Sequence, residues 1–354
     1  MTSTRHTSPG RKPVTLVDVA SKAGVSRATV SRVINGSKFV EPLVADRVRE
    51  AILEMGYVPN HAARSLSTRR TDMVALIASE PHSLFFHDPF FADIVHGVAQ
   101  ELGEVDMRMI MSMIQSPDEM MGVQQYLMGR PVDGVLAISE HTALQITQQL
   151  ATADIPLVIG GRPLDSSQFG IAHVDNDNLA GARMATEFLM ARGATTVTTI
   201  AGPPDMNAGI DRLEGFRSAF PTSVPKERIA FSSFTVAGGA AAMERLLNAV
   251  PDLDAVFAAS DLIALGAMQT LRRAGKRVPD DVAIVGFDDI ELAADASPPL
   301  TTIRQDSVMQ GRMMVRLLLR ALGRTADLGK AARASLPEGN SVVLPVTLVR
   351  RASA

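Results

Sequence analysis

The apolar positions of the chain fall into two textures. Up to about residue 57 they recur at helical spacing in short stretches: Val19, Ala20 and Ala23, then Val30 and Val33, then Val44, Val48, Ala51, Ile52 and Met55. That period predicts three short helices, each packed by one face. From Met73 onward, short continuous apolar runs alternate with longer helical stretches. Strands are predicted at Met73–Ala78, Met107–Ile114, Gly134–Ile138, Leu157–Ile159, Val197–Ala201, Ala255–Ala259 and Val282–Phe287. Helices are predicted at about 92–102, 118–129, 143–151, 179–191, 211–219, 236–249 and 261–274. Strand then helix, repeated, implies parallel sheets covered by helices on both faces. The units are too many for one doubly wound sheet, so the region divides into two lobes near residue 170. Ligands in such folds sit outside the carboxyl ends of strands, which points to the cleft between lobes.

Composition sharpens this picture. A chain of 354 residues exceeds one core, and 46% apolar content is enough to bury several. Residues 1–13 are polar, carry Pro9, Gly10 and Pro13, and read as a disordered arm; residues 59–71, with Pro59, Arg64, Arg69 and Arg70, read as a connector. The net charge of −3 hides an asymmetry: residues 1–70 hold twelve basic and five acidic residues, the remainder 23 basic and 33 acidic. A basic head on an acidic body fits contact with a polyanion, and equally a solvated basic tail. The absence of cysteine excludes disulfides, thiol catalysis and Cys-based zinc sites. No secretory signal and no bilayer-length apolar run is present, so a cytoplasmic protein is expected.

Thr15 to Val33 carries the first chemistry. Thr15 can cap a helix with Asp18 in the capping-box place. Ala20 is small enough to let a second helix cross closely. Gly24 suits a left-handed turn, and Ser26 can cap the next helix, whose outer face shows Arg27, Ala28, Thr29, Ser31 and Arg32. A short polar helix after a tight glycine turn is what a major-groove reader needs; a helical hairpin without a DNA role has the same outline. A third helix follows at Leu43–Met55, with Pro42 in its first turn and Gly56 ending it.

The run Val14–Asn35 and the run Gly56-Tyr57-Val58-Pro59-Asn60 resemble the lac-repressor (LacI/GalR) family. The resemblance implies that Arg27 and Ala28 occupy base-reading positions and that Arg32 matches a common arginine further along the helix. An arginine there can donate twice to guanine, whereas Ala28 offers only apolar contact. Thr15, Thr29, Ser31 and Asn35 would meet phosphates, and Ser26 is also placed at the DNA. Glu41 departs from a frequent serine cap. The resemblance also makes 59–71 a hinge helix, in which Asn60 and Arg64 sit at the DNA and Leu66 wedges between base pairs in the minor groove; without it, Leu66 is an ordinary linker leucine.

Segments of the body match the same family: Asp88-Pro89-Phe90-Phe91, Val174-Asp175-Asn176-Asp177, Ala201-Gly202-Pro203, Arg212-Leu213-Glu214-Gly215-Phe216, Ala259-Ser260-Asp261, Val285-Gly286-Phe287-Asp288-Asp289 and Pro299-Leu300-Thr301-Thr302-Ile303. The body therefore resembles two-lobed periplasmic sugar-binding proteins. By that likeness, residues 14–58 form the helix-turn-helix domain and 72–354 the effector-binding and dimerisation domain. Lobe 1 takes about 72–170 and 304–330, and lobe 2 about 171–303 and 336–350. Arg212 matches an effector-binding arginine and Asp288 an acceptor for hydroxyls; Phe90 and Phe91 match an aromatic pair at the cleft mouth, and Arg162, Ser260 and Phe287 are further cleft candidates. From the residues alone, Arg212 could instead pair with Asp211 or Glu214, Asp288 could cap a turn, and the two phenylalanines could be core. Gly161 and Ser260 depart from the lac repressor itself. The runs Gly160-Gly161-Arg162-Pro163, Asp205–Gly209 and Ala258–Asp261 resemble the actinobacterial branch that senses cellobiose and other β-glucosides.

The expectation is an α/β protein that binds a palindromic DNA operator as a homodimer and is released by a small sugar; the alternative is a corepressor-dependent or activating regulator with a non-sugar ligand. The chain runs only to Ala354 and carries no leucine heptad tail, so a dimer rather than a tetramer is expected. No enzyme is expected. The sequence has no phosphate-binding loop, no Gly-x-Ser-x-Gly elbow and no metal-ligand cluster. The adjacent Asp288 and Asp289 would point apart and make a poor glycosidase pair. No cofactor is called for beyond the effector.

Overall fold

The computed structural model describes residues 14–34, 39–58, 70–139, 141, 150, 155–163 and 170–354. Contacts divide the chain into two units, Met1–Thr71 and Asp72–Ala354.

In the first unit, α1 (Leu16–Ala23) begins with a capping box: Asp18 N donates to Thr15 Oγ1 at 3.4 Å, and Thr15 N donates back to Asp18 Oδ2 at 2.8 Å. The pair satisfies two backbone donors that a helix start leaves open. Gly24 then turns the chain at φ 66°, where a side chain would be strained. Ser26 Oγ accepts from Thr29 N at 3.1 Å and starts α2 (Arg27–Ile34). Glu41 makes no side-chain cap to α3 (Pro42–Met55); proline in the first turn and Gly56 at φ 62° bound that helix. Val19, Ala20, Ala23, Val30, Val48 and Ala51 form the core. Ala45, rather than Val44, is the buried residue of the first turn of α3.

The second unit holds two six-stranded sheets. The first contains β1 (Met73–Ala78), β2 (Arg108–Met113), β3 (Gly134–Ile138), β4 (Leu157–Gly160), β5 (Ala172–Asn176) and β11 (Ser341–Leu344), in the order β11-β5-β4-β3-β1-β2. The second contains β6 (Val197–Ala201), β7 (Ile229–Phe231), β8 (Ala255–Ala258), β9 (Ala283–Asp288), β10 (Thr301–Arg304) and β12 (Thr347–Val349), in the order β12-β10-β9-β8-β6-β7. All pairs are parallel except β10 with β12. Central strands such as β3 and β6 are buried throughout, as a sheet covered on both faces requires.

The helices follow in chain order: α4 (His82–His87), α5 (Pro89–Glu104), α6 (Pro117–Met128), α7 (Asn178–Ala191), α8 (Asn207–Ser218), α9 (Val236–Ala249), α10 (Asp261–Arg273), α11 (Glu291–Asp295), α12 (Ser307–Ala321) and α13 (Lys330–Ala334). The chain passes between lobes three times, after β5, after β10 and after β11. The lobe boundaries expected from sequence therefore need correction. β5 at 172–176 and β11 at 341–344 pair with each other in the first sheet, so only the last strand returns to the second. A local pattern places strands but not their partners, and pairing decides the lobe. The helix expected at 143–151 lies almost wholly outside the described residues.

Candidate functional site

The carboxyl ends of β1, β3, β4 and β5 face those of β9 and β10 across a cleft that opens to solvent. Lobe 1 lines it with Glu80, Asp88, Phe90, Phe91, Arg162, Asp175, Asn176 and Gln310; lobe 2 lines it with Asn207, Arg212, Phe234 and Asp288, and Gln305 stands between.

Arg212 organises the floor. It projects from α8, only 5% exposed, and its guanidinium carbon lies 3.7 Å from the centroid of the Phe287 ring. Nε donates to Asn178 Oδ1 at 2.8 Å, and Nη1 donates to the Ala259 carbonyl at 2.6 Å and to Asp288 Oδ1 at 3.2 Å. Gln305 Nε2 donates to the same Asp288 oxygen at 2.7 Å. Burial pushes the Asp288 carboxyl up to about 7, against the pull of Arg212. Asp288 holds φ 116°, a backbone conformation that costs energy in a non-glycine residue and aims its carboxyl at the cleft. Asp88 caps α5 by accepting from Phe90 N at 3.0 Å; burial raises its carboxyl to about 6.

A buried amide chain supports the lobe 1 wall. Asn176 Nδ2 donates to Gln310 Oε1 at 2.9 Å, and Gln310 Nε2 donates to the Val174 carbonyl at 3.0 Å. Asn176 Oδ1 has no hydrogen-bond partner among the described residues, although it is buried. A buried acceptor left open is costly, and a ligand hydroxyl can satisfy it.

Two polar bridges join the lobes at the rim. Arg162 Nη2 donates to both oxygens of Asp211, at 2.7 and 3.0 Å, while Asn207 Nδ2 donates to the Arg162 carbonyl at 2.6 Å. His141 sits between Asp205 Oδ2 at 2.8 Å and Glu80 Oε1 at 3.2 Å. Its hydrogen bond to Glu80, helped by Asp205, raises the imidazole to about 9.

The sequence-derived residues divide accordingly. Phe90, Phe91, Arg162, Arg212 and Asp288 line the cleft. Phe91 is 4% exposed and stacks on Phe85 at 4.9 Å, so it is mostly core; Phe90 is half-buried and more open. Two assignments are corrected. Ser260 lies behind the cleft lining as the N-cap of α10, accepting from Ile263 N at 3.2 Å. Phe287 is fully buried and serves as the platform under Arg212. Arg212 pairs with neither Asp211 nor Glu214 in the hydrogen bonds of its guanidinium; Asp211 takes Arg162 instead. Asp289 turns away from Asp288 to Arg304 and Arg351. Sequence reasoning missed Asn176, Gln310, Gln305, Phe234 and His141. Their partners lie up to 136 residues away, which no spacing rule detects.

In the first unit, Arg27, Ala28 and Arg32 are exposed on α2, with Thr29 and Ser31 half-buried beside them; Thr15 and Ser26 are exposed at the two helix starts. Thr15 and Ser26 are also the caps, so their hydroxyls are already held near the helix N-termini. Asn35, Asn60, Arg64 and Leu66 lie outside the described residues.

Residues 15–60 match the family of bacterial regulatory proteins described as lacI, and residues 186–354 match the periplasmic binding protein-like domain. The transcriptional regulator CelR of Thermobifida fusca is 46% identical over 321 residues, covering 90% of this chain and 94% of CelR. The chain belongs to the lacI family. The ribose operon repressor of Escherichia coli K12 is 33% identical, covering 86% of this chain and 92% of the repressor. Among solved structures of the family, a CelR–cellobiose complex superposes with a TM-score of 0.75 at 42% identity, covering 96% of this chain and all of that one. The lac repressor dimer bound to operator and an anti-inducer gives 0.82 at 26% identity, over 97% and 99% of the two chains. As a lacI-family protein the chain is a DNA-binding transcriptional regulator with a ligand-binding body, not an enzyme. Among the described residues no helix is long and apolar enough to cross a membrane.

Proposed function

We propose that this protein is a cytoplasmic repressor of β-glucoside utilisation genes, and that a cellobiose-type sugar bound in the cleft releases it from its operator. The observation that carries the reading is the balance of the cleft. Its arginine charges are already met, Arg212 by Asp288 and Arg162 by Asp211, while Asp88, Asp175, Glu80 and Asn176 offer acceptors. Such a lining suits a neutral polyol and disfavours an anion. Phe90 and Phe234 supply ring faces for a sugar. The likeness to CelR, solved with cellobiose, supports the same ligand class.

On the DNA side, Arg27 and Arg32 read bases from the exposed face of α2, Ala28 offers apolar contact, and Thr15, Ser26, Thr29 and Ser31 position the helix on phosphates. A homodimer on a pseudo-palindrome is the matching assembly, as in the lac repressor dimer. The sugar releases DNA only through unequal affinity for the DNA-bound and released forms of the body.

Calorimetric titration of the purified protein with cellobiose, ribose and glucose 6-phosphate tests the ligand class. Saturable binding of cellobiose alone supports it. Tighter binding of the phosphorylated sugar, or of no sugar in the panel, overturns it.

A further inference from the structure

The cleft and the point where the chain enters the body lie at opposite edges of the first sheet. The cleft gathers at the carboxyl ends of β1, β3, β4 and β5. Asp72 precedes β1 and Asp133 precedes β3, so both stand at the amino edge. A six-residue strand separates those edges by about 20 Å.

Helix α12 spans that distance. Its first turn presents Gln310 to the cleft, and its fifteen residues rise about 22 Å. Met313, Met314, Val315, Leu317, Leu318 and Leu319 sink into the lobe 1 core. The helix is fused to α5, which itself starts at the cleft with Asp88 and Phe90. Gly97 of α5 lies against the Val308 carbonyl and Gly311 of α12 against the Ile94 carbonyl, so the two backbones touch and a methyl group fits at neither place. Fully buried Glu101 then fixes the register: Oε2 accepts from Arg312 Nε at 2.6 Å and Oε1 from Arg316 Nε at 2.7 Å. Sliding of one helix on the other would leave that carboxylate unpaired.

At the far end, Gly323 turns the chain at φ 67° and Arg324 N returns to the Leu319 carbonyl at 2.7 Å, which locks Arg324 to the helix terminus. Its guanidinium, 10% exposed, donates through Nη1 to Asp72 Oδ1 at 2.9 Å and through Nε to Asp327 Oδ2 at 2.7 Å; Asp133 Oδ2 lies 3.7 Å away. Asp72 N donates to that same Asp133 oxygen at 3.0 Å. Asp72 holds φ 52°, the left-handed region that side-chain-bearing residues enter only when their surroundings compel it.

We propose that Arg324 is the coupling residue of this regulator: α5 and α12 move as one rod, and Arg324 passes movement at the cleft to Asp72, which sets how the connector to the DNA-binding unit leaves the body. The proposal rests on the reading that a cleft ligand controls DNA affinity. Arg324 is not among the residues that line the cleft and acts on the ligand's effect by position alone.

The test uses the full-length protein, a duplex selected by the wild type from random sequence, and cellobiose. Arg324→Met removes the donors and keeps the stem; Asp72→Asn removes the acceptor charge with little change in shape. For both variants, cellobiose affinity in the absence of DNA should stay within about twofold of wild type, because the cleft is untouched. The ratio of operator Kd with and without cellobiose should fall at least fivefold toward one. The double variant should lose no more than either single, and Arg324→Lys should restore part of the response. An unchanged ratio in both singles overturns the proposal. So does a loss of cellobiose affinity that accounts for the whole change, since Arg324 would then only support the lobe. A wild type that fails to respond to cellobiose overturns the ligand reading instead. The coupling is then judged on operator Kd without sugar, where a change of fivefold or more in both singles supports it and an unchanged value overturns it.

Discussion

The Arg212 guanidinium lies on the Phe287 ring at 3.7 Å, so the most polar side chain of the cleft floor rests on one of its most buried apolar ones. The ring fixes the plane of the fork, and Asn178, Ala259 and Asp288 fix its rotation. A planar fork on an aromatic face is not replaced by an ammonium. Arg212→Lys should weaken sugar binding ten- to a hundredfold in calorimetry. Arg212→Ala should also destabilise the body by about 1–3 kcal/mol in denaturant unfolding, because Asn178 Oδ1 and the Ala259 carbonyl lose their donor.

Phe287→Leu gives a sharper check of the same contact. The ring is fully buried behind the cleft. Loss of sugar affinity in a variant that stays folded by circular dichroism would establish that Phe287 acts through Arg212. Unchanged affinity would reduce the ring to packing.

The acidity of Asp88 makes stability depend on pH. Burial raises its carboxyl to about 6 in the folded protein, with Glu80 adding to the rise and Phe90 N and Arg212 opposing it. A raised acid binds more protons folded than unfolded, so stability falls as pH climbs from about 4 through 6. Asp88→Asn keeps the cap and removes the charge. Its advantage over wild type in thermal melts should grow by about 2 kcal/mol between pH 4.5 and pH 8.

The helix-turn-helix unit and most central strands were legible in the sequence because their determinants are local. Thr15, Asp18, Gly24 and Ser26 act within four residues, and β1 and β3 are continuous apolar runs. β5 and β10 escaped the pattern because they bury polar residues that find distant partners, and β11 because it is a four-residue strand with Ser341 and Val343 exposed and Leu344 buried. Thr302 Oγ1 donates to Asp261 at 2.5 Å, and Thr301 N donates to Ser353 Oγ at 2.8 Å. The cleft followed the same rule. Arg212 and Asp288 came from family motifs, whereas the amide wall of Asn176 and Gln310 exists only once β5 and α12 are packed together.

That amide wall yields its own prediction. Asn176 Oδ1 is the buried acceptor left open beside the cleft. Asn176→Ala should cost the sugar about 1–1.5 kcal/mol of binding, roughly tenfold in Kd, if a ligand hydroxyl donates to it. Identical Kd values for variant and wild type would place the hydroxyl elsewhere.

Arg27 is exposed on α2, and the proposed reading makes it a base reader. Arg27→Ala should cost roughly 1–3 kcal/mol on the selected duplex and relax the preference at one base pair. Equal weakening on every sequence would assign Arg27 to phosphate.

The central claim is that occupation of the cleft changes the grip on DNA. Its most direct measurement is fluorescence anisotropy of a labelled operator duplex at fixed salt, with competitor DNA present and cellobiose titrated in. Release of the operator over the same concentration range in which calorimetry shows cellobiose binding is the predicted result. An operator complex indifferent to saturating cellobiose, or one that tightens with it, would contradict the account.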